Sequence, residues 1–429
     1  MIWILTDIYW PALSGVPVTI DYLVKALSAA GLRVGLVSVG GPQSVNDGPC
    51  LHWPLKTWEN VAFPGDQTAL FSATRLARQL PRSSTDVFVI ATPGRVGLTG
   101  LAIARLRRRP AILLHLTDLV QYRDHYPTWR PLAVVFPKLA FFSLARLLSW
   151  LRGYRPQRDN PSHGAPRSRK IEAKPHLDLA NALLRWVYSA ADRVVSLSQK
   201  STDALLAMGL NPGNLAEISS GITIPSQWTQ ERPGARPCDH TFRILYVGRV
   251  VPEKNLHLTL DAFRILIDKY NGTLLLDIVG GGHGLERLRG YSANIGVAEF
   301  VTFWGPIPRH RLAPFYRSAD LFLFTSQTDT QGLVLSEAAW FGVPCLVVDS
   351  DSTFLTKSQG AVFVAPPLAR RVAEAIESIM KNPHTRAHAA QMAQDAARQR
   401  QAESSTAIVE LLMLLAGERR PNASTRTTP

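Results

Sequence analysis

Two carboxylates eight positions apart, Asp329 and Glu337, flank a glycine in the stretch Thr328-Asp329-Thr330-Gln331-Gly332-Leu333-Val334-Leu335-Ser336-Glu337. Carboxylates accept hydrogen bonds from ligand hydroxyls, those of a sugar among them. Upstream, Gly248-Arg249-Val250-Val251-Pro252-Glu253-Lys254-Asn255 sets two cations five positions apart behind a tight glycine. Cations so placed suit an anion such as a diphosphate, above all one whose charge grows during a reaction. Loop residues between the carboxylates, Gln331, Gly332 and Leu333, add free backbone amides to the same set.

The elements that carry these residues follow from the apolar pattern. Leu321 to Phe324 reads as a buried parallel strand and Leu333 to Phe341 as a helix, which Gly342-Val343-Pro344 ends before a new strand from Cys345 to Val348. Arg249 and Lys254 follow the apolar run Ile244 to Val247, and Leu256, Leu260, Phe263 and Ile267 then recur at helical spacing. Arg249 and Lys254 therefore belong to a loop at the carboxyl end of a strand, where open α/β sheets bind ligands, and the acidic pair brackets a second strand-to-helix loop. Leu276 to Val279 repeats the theme, with Gly280-Gly281-Gly282-His283-Gly284 as a loop that lets backbone approach a ligand at Gly282.

Strand and helix alternate through the first half as well. Ile2 to Leu5, Arg33 to Val39, Asp86 to Ala91, Ala111 to Leu116 and Arg193 to Leu197 are expected strands, with helices such as Val18 to Ala30 and Gly97 to Arg107 between them. This order predicts a parallel doubly wound sheet. After the first strand, Gly15 in Pro11-Ala12-Leu13-Ser14-Gly15-Val16 would let backbone approach a phosphate or sugar.

Together these segments resemble the retaining glycosyltransferases of family 4, whose Glu-x(7)-Glu signature is met here with Asp329 in the first place. The resemblance implies an α/β protein of GT-B architecture: two facing Rossmann-like domains with doubly wound parallel sheets, binding a nucleotide sugar. By the same resemblance Asp329 touches the donor sugar, Glu337 the ribose hydroxyls, and Arg249 and Lys254 the diphosphate. Gly15, Gly282, Gln331, Gly332 and Leu333 complete the donor set, with no metal and no cofactor required. Phe303-Trp304-Gly305-Pro306 resembles the segment lining the nucleobase pocket, whereas Gly281 stands where the family usually has Asp or Glu.

His115-Leu116-Thr117-Asp118 resembles the His-Thr-Asp segment of members that glycosylate lipids, such as diacylglycerol glucosyltransferases and phosphatidylinositol mannosyltransferases. The family histidine aligns with Leu116, and a one-residue shift along a strand reverses side-chain direction. His115 is thus catalytic, if the strand has ended, or else a structural histidine, or Asp118 takes a compensating catalytic role.

The chain has 429 residues, 46% hydrophobic and 19% charged, enough for two or three domains with ample core. A net charge of +14 predicts an anionic partner, and no zinc-finger, helix-turn-helix or RNA-binding signature points to nucleic acid. Cys50, Cys238 and Cys345 lack metal-ligand spacing and read as reduced cytosolic thiols. Met1 to Asp7 reads as a first strand rather than a leader, so a cytoplasmic protein, peripheral on the cytoplasmic membrane face, is expected.

The expected organisation is an amino-terminal domain over 1–229, a linker at 230–241, a nucleotide-sugar domain over 242–385, a helix over 386–417 crossing back, and a polar, disordered tail over 418–429. An insertion at 131–178 interrupts the first domain. Within it Lys138, Arg146, Ser149 and Arg152 share one third of the circumference of an otherwise apolar helix, and residues 153 to 175 add six basic residues against two acids. Such a segment suits an anionic bilayer surface, or else packing against this domain or a subunit partner. The expected activity is transfer of a hexose from a nucleotide sugar to a membrane lipid. Alternatives are transfer to a cell-surface polysaccharide or oligosaccharide, a nucleotide-sugar epimerase on the same fold, and a non-catalytic nucleotide-sugar-binding relative.

Overall fold

A computed structural model of the chain describes residues 1–10, 14–39, 50–55, 57–59, 67–69, 73–116, 175–230, 241–270 and 272–417. Asp118, the apolar and basic stretch 131–174 and the linker residues 231–240 lie outside the described residues.

Two parallel sheets organise what is described. The first has seven strands in the spatial order Cys50–Leu55, Val34–Val39, Ile2–Thr6, Val87–Ile90, Ala111–His115, Arg193–Ser196 and Leu215–Glu217. The second has six, in the order Val301–Gly305, Thr273–Val279, Thr241–Val247, Leu321–Phe324, Cys345–Val347 and Val362–Val364. Ile2–Thr6, Val34–Val39 and Leu321–Phe324 are buried at every residue, because helices cover both faces of each sheet. Runs of Val, Ile, Leu and Phe are what such strands require. Leu36, Ile112 and Val195 pack on one face of the first sheet, and Trp3, Phe88 and Leu113 on the other.

In each sheet the chain starts at the middle, builds outward to one side, and returns to the middle to build the other. The reversal falls between Ile2–Thr6 and Val87–Ile90 in the first sheet and between Thr241–Val247 and Leu321–Phe324 in the second. Loops after the two strands at a reversal diverge to opposite faces, which opens a crevice at their carboxyl ends.

The crossing between domains lies earlier than the sequence led us to expect. Trp228, on the short helix Ser226–Gln230, is 2% exposed within the core of the second domain, together with Phe322, Leu335 and Cys345. The connection is therefore Ile218 to Thr223, and residues up to 229 do not all belong to the first domain. The return is made by one 35-residue helix, Pro383–Gly417. Its Ala393 and Ala397 pack in the second domain, whereas Ile408, Leu412 and Leu415 enter the first. Burying each of these large side chains stabilises the join by roughly 1.5–3 kcal/mol.

The connection is bonded along its length. Ser404 Oγ accepts from the Gly221 amide at 2.9 Å and donates to the Ser219 carbonyl, and Gln401 Oε1 accepts from the Ile222 amide at 2.8 Å.

Candidate functional site

The two reversal points face each other. Helix Gly15–Ala29 begins after the first strand of the first sheet, and helix Leu333–Trp340 begins after Leu321–Phe324 in the second. A Cβ at Gly15 would lie 3.2 Å from Leu333 Cδ1, so the first residues of the two helices are in contact across the crevice. Neither N-terminus receives a side-chain cap, and neither has an acid in its first turn. Ser14, the residue before the first helix, keeps a buried hydroxyl with no hydrogen-bond partner. Two uncapped N-termini concentrate partial positive charge and free amides at one place, which favours an anion. Gly332 makes the second start possible: its φ of +61° is left-handed, a region glycine enters at little cost.

The charged residues converge beside this point. Lys254 Nζ donates to Asp329 Oδ1 at 2.5 Å, and Arg249 lies 3.2 Å from Glu253 Oε1. Their loops are stitched together, since Thr325 Oγ1 donates to the Lys254 carbonyl at 3.0 Å and Ser326 Oγ to that of Glu253 at 3.2 Å. Burial pushes the Asp329 carboxyl up, but Lys254, the Ser326 hydroxyl and Arg249 outweigh it and hold the group below the usual carboxylate range. Asp329 Oδ2, Thr328 Oγ1 and Ser336 Oγ are buried and make no hydrogen bond. Orphaned polar atoms of this kind are rare in folded proteins and gather where a polar ligand completes the set.

Glu337 is 3% exposed and held on both oxygens. Arg309 Nε donates to Oε1 at 2.6 Å and the Tyr316 hydroxyl to Oε2 at 2.8 Å. Burial, reinforced by Glu337, keeps the Tyr316 hydroxyl protonated far above its ordinary range. Arg309 also donates to the Thr223 carbonyl at 2.6 Å and lies over the Trp228 ring at 4.9 Å. Sequence reasoning missed Arg309 and Tyr316: no spacing links them to Glu337, and only the turn Arg309–Arg311 and the helix Ala313–Ser318 bring them there.

Three expected site residues are placed differently. Gln331 turns its amide away from the crevice, where Oε1 accepts from the Ser220 amide at 3.0 Å and Nε2 donates to the Ser220 carbonyl. Its side chain is thus committed to the domain connection. Gly282 answers a need of backbone packing, since a Cβ there would stand 2.4 Å from the Val250 carbonyl oxygen. His115 remains within its strand, 4% exposed, with Nδ1 2.8 Å from the Tyr188 hydroxyl. Its ring therefore packs against helix Pro175–Ser189, on the sheet face opposite to Leu116, and the placement is that of a structural histidine. The Leu116 carbonyl instead accepts from Thr330 Oγ1 at 3.0 Å, across the crevice. Trp304 lies on the edge strand of the second sheet, its indole N–H bonded to Asp277 at 2.7 Å. Among the described residues, no three His, Cys, Asp or Glu gather as a metal site, and no helix is long and apolar enough to cross a membrane.

Paired parallel-sheet domains with their reversal points opposed define the GT-B fold, and solved structures share it. Anabaena HepE in complex with UDP and glucose superposes with a TM-score of 0.65 at 17% identity, over 96% of this chain and 99% of that one. WaaG, a glycosyltransferase involved in lipopolysaccharide biosynthesis, gives 0.61 at 13% identity over 96% and 99%. Residues 230–398 match the family model of Glycosyl transferases group 1. Over these residues, which hold Arg249, Lys254, Asp329 and Glu337, the chain is similar to that group. It is similar to D-inositol 3-phosphate glycosyltransferase 2 of Catenulispora acidiphila, 28% identical over 46% of this chain and 50% of the relative. The D-inositol 3-phosphate glycosyltransferase of Streptosporangium roseum is 32% identical over 37% and 39%. The matches thus span half or less of the length of these relatives.

Proposed function

We propose that the protein transfers a hexose from a nucleotide sugar to an acceptor hydroxyl, retaining the configuration of the anomeric carbon. The observation that carries this reading is the contact between two uncapped helix starts, at Gly15 and Leu333, beside the Lys254–Asp329 pair. The diphosphate lies against the helix amides, Arg249 and Lys254, which supply positive charge where the leaving group develops its own. Asp329 meets hydroxyls of the hexose through Oδ2, and Glu337 those of the ribose through the lone pairs its partners leave open. The acceptor oxygen bonds to the anomeric carbon as the bond from that carbon to the phosphate oxygen breaks. The electron pair leaves on the phosphate, which takes the acceptor proton. No metal or other cofactor enters this scheme.

The acceptor in this reading is a membrane lipid at the cytoplasmic face. Support comes from the His-Thr-Asp-like segment at His115 to Asp118 and from the basic residues within 131–175. A soluble phosphorylated polyol is the second reading, favoured by the relatives named for D-inositol 3-phosphate. The net charge of +14 accords with an anionic acceptor in either form.

The test incubates the purified chain with UDP-glucose and a panel of other nucleotide sugars, offering anionic liposomes or D-inositol 3-phosphate. Products are found by mass spectrometry and the anomeric configuration by NMR. A glycolipid of retained configuration is the expected product. Glycosylated inositol phosphate alone selects the second reading, and neither transfer nor donor hydrolysis with any nucleotide sugar overturns both.

A further inference from the structure

The loop Ser326 to Gly332, which carries Asp329, is bonded to the rest of the molecule from the opposite domain. Lys200, in the first turn of helix Gln199–Ala207, reaches across the crevice to the Gln327 carbonyl and to Asp349 Oδ2 at 2.5 Å. Thr330 Oγ1 donates to the Leu116 carbonyl at 3.0 Å, at the end of the strand Ala111–His115. Gln331 pairs with Ser220 in the connection. Asp329 thus sits between two residues, Gln327 and Thr330, whose positions the first domain sets.

The place of Lys200 runs against local preference. A helix N-terminus carries partial positive charge, so a cation in the first turn is disfavoured by its own helix. A side chain held there, at 23% exposure, by an acid and a carbonyl of the other domain answers a tertiary demand. Thr330 is comparable: its hydroxyl, next to Asp329, is spent on a backbone carbonyl of the facing sheet instead of on its own loop.

We propose that Lys200 and Thr330 are positioning residues for Asp329. The amino-terminal domain sets the register of the donor loop through them, so Asp329 meets the hexose in working geometry only when the two domains are together. The inference rests on the reading of Asp329 as a contact to the donor sugar. Of the groups assigned to the nucleotide, Arg249, Lys254 and Glu337 stand outside this loop. The two functions therefore separate in measurement.

The test compares Lys200→Met and Thr330→Val with their conservative counterparts Lys200→Arg and Thr330→Ser, all in the full chain. UDP binding is followed by calorimetry, turnover by steady-state kinetics with the nucleotide sugar the wild type uses best, and unfolding by heat. Lys200→Met and Thr330→Val should each lower kcat about a hundredfold, the cost of misplacing a reacting group by an ångström, with KM and the affinity for UDP changed less than about twofold. Lys200→Arg and Thr330→Ser should recover most of the rate. Because both act on one loop, the double variant Lys200→Met/Thr330→Val should lose less than the product of the single losses. Unchanged kcat in both single variants, or losses of kcat and UDP affinity in step with a lower melting temperature, overturns the inference. A wild-type chain that turns over no nucleotide sugar overturns the reading beneath it as well, and that outcome is distinct from the first.

Discussion

Lys254 and Asp329 share a hydrogen bond of 2.5 Å although 75 positions separate them in sequence. The pair joins the two loops that leave adjacent strands at the reversal of the second sheet, and it leaves Asp329 Oδ2 buried and unbonded. A cation that would face a diphosphate is thereby fixed against a carboxylate that would face a sugar.

Lys254→Ala should lower turnover of nucleotide sugar by about 10²–10³, the scale seen when one stabilising donor is removed from a charge that develops in the transition state. Arg249→Ala should behave alike. Both variants should retain the circular dichroism spectrum of the wild type, and near-normal rates in both would show that the diphosphate lies elsewhere.

The pH dependence of stability follows from the lowered pKa of Asp329. The unfolded chain holds this proton at higher pH than the folded one, so the group's stabilising contribution is present above an unfolded value of about 3.9 and is lost as pH falls through the folded value. The difference in unfolding free energy between wild type and Asp329→Asn, followed by urea denaturation, should shrink on acidification through this window. With Lys254→Met as background only the Ser326 hydroxyl and Arg249 still oppose burial, and the dependence should weaken.

Arg309→Met should destabilise the fold by about 3–5 kcal/mol, because it leaves the Glu337 carboxylate buried without its cation. Adding Glu337→Gln should restore much of that loss. Nucleotide affinity should not return with it on the proposal that the carboxylate reads the ribose. Thermal unfolding and calorimetry with UDP separate the two effects, and full affinity in Glu337→Gln would remove Glu337 from the site.

Replacing the basic residues of 131–175 with Gln should abolish sedimentation with phosphatidylglycerol liposomes while donor hydrolysis persists. Each basic residue near an anionic surface contributes about 1 kcal/mol, screened as salt rises. Unaltered sedimentation would count against a lipid acceptor.

Much of this architecture is written locally. Leu321 to Phe324 and Ile2 to Leu5 are apolar over their whole length because both sheet faces are covered, so the alternation of strands and helices is legible without coordinates. Arg249, Lys254 and Asp329 are legible too, as their distance from the end of a strand already assigns them to loops at one edge of a sheet, and Glu337 follows on the helix that the second loop opens. Weaker strands escape this reading. Cys50–Leu55 is an edge strand with His52 and Pro54 in it, and Leu215–Glu217 has three residues, so neither shows a period.

Tertiary structure decided the partners. The sequence by itself determined which side chains stand at the ends of strands, because hydrophobic period and glycine placement act over a few residues. It did not determine that Arg309 and Tyr316 would close on Glu337, that Gln331 would turn to Ser220, or that His115 would face Tyr188. Nor did it show that the chain crosses at Ile218 to Thr223, with Trp228 already inside the second core. Each of these depends on which helix lies over which strand and at what register. That choice is made by burial summed over the whole chain, and the resulting contacts join residues whose separation in sequence carries no periodic signal.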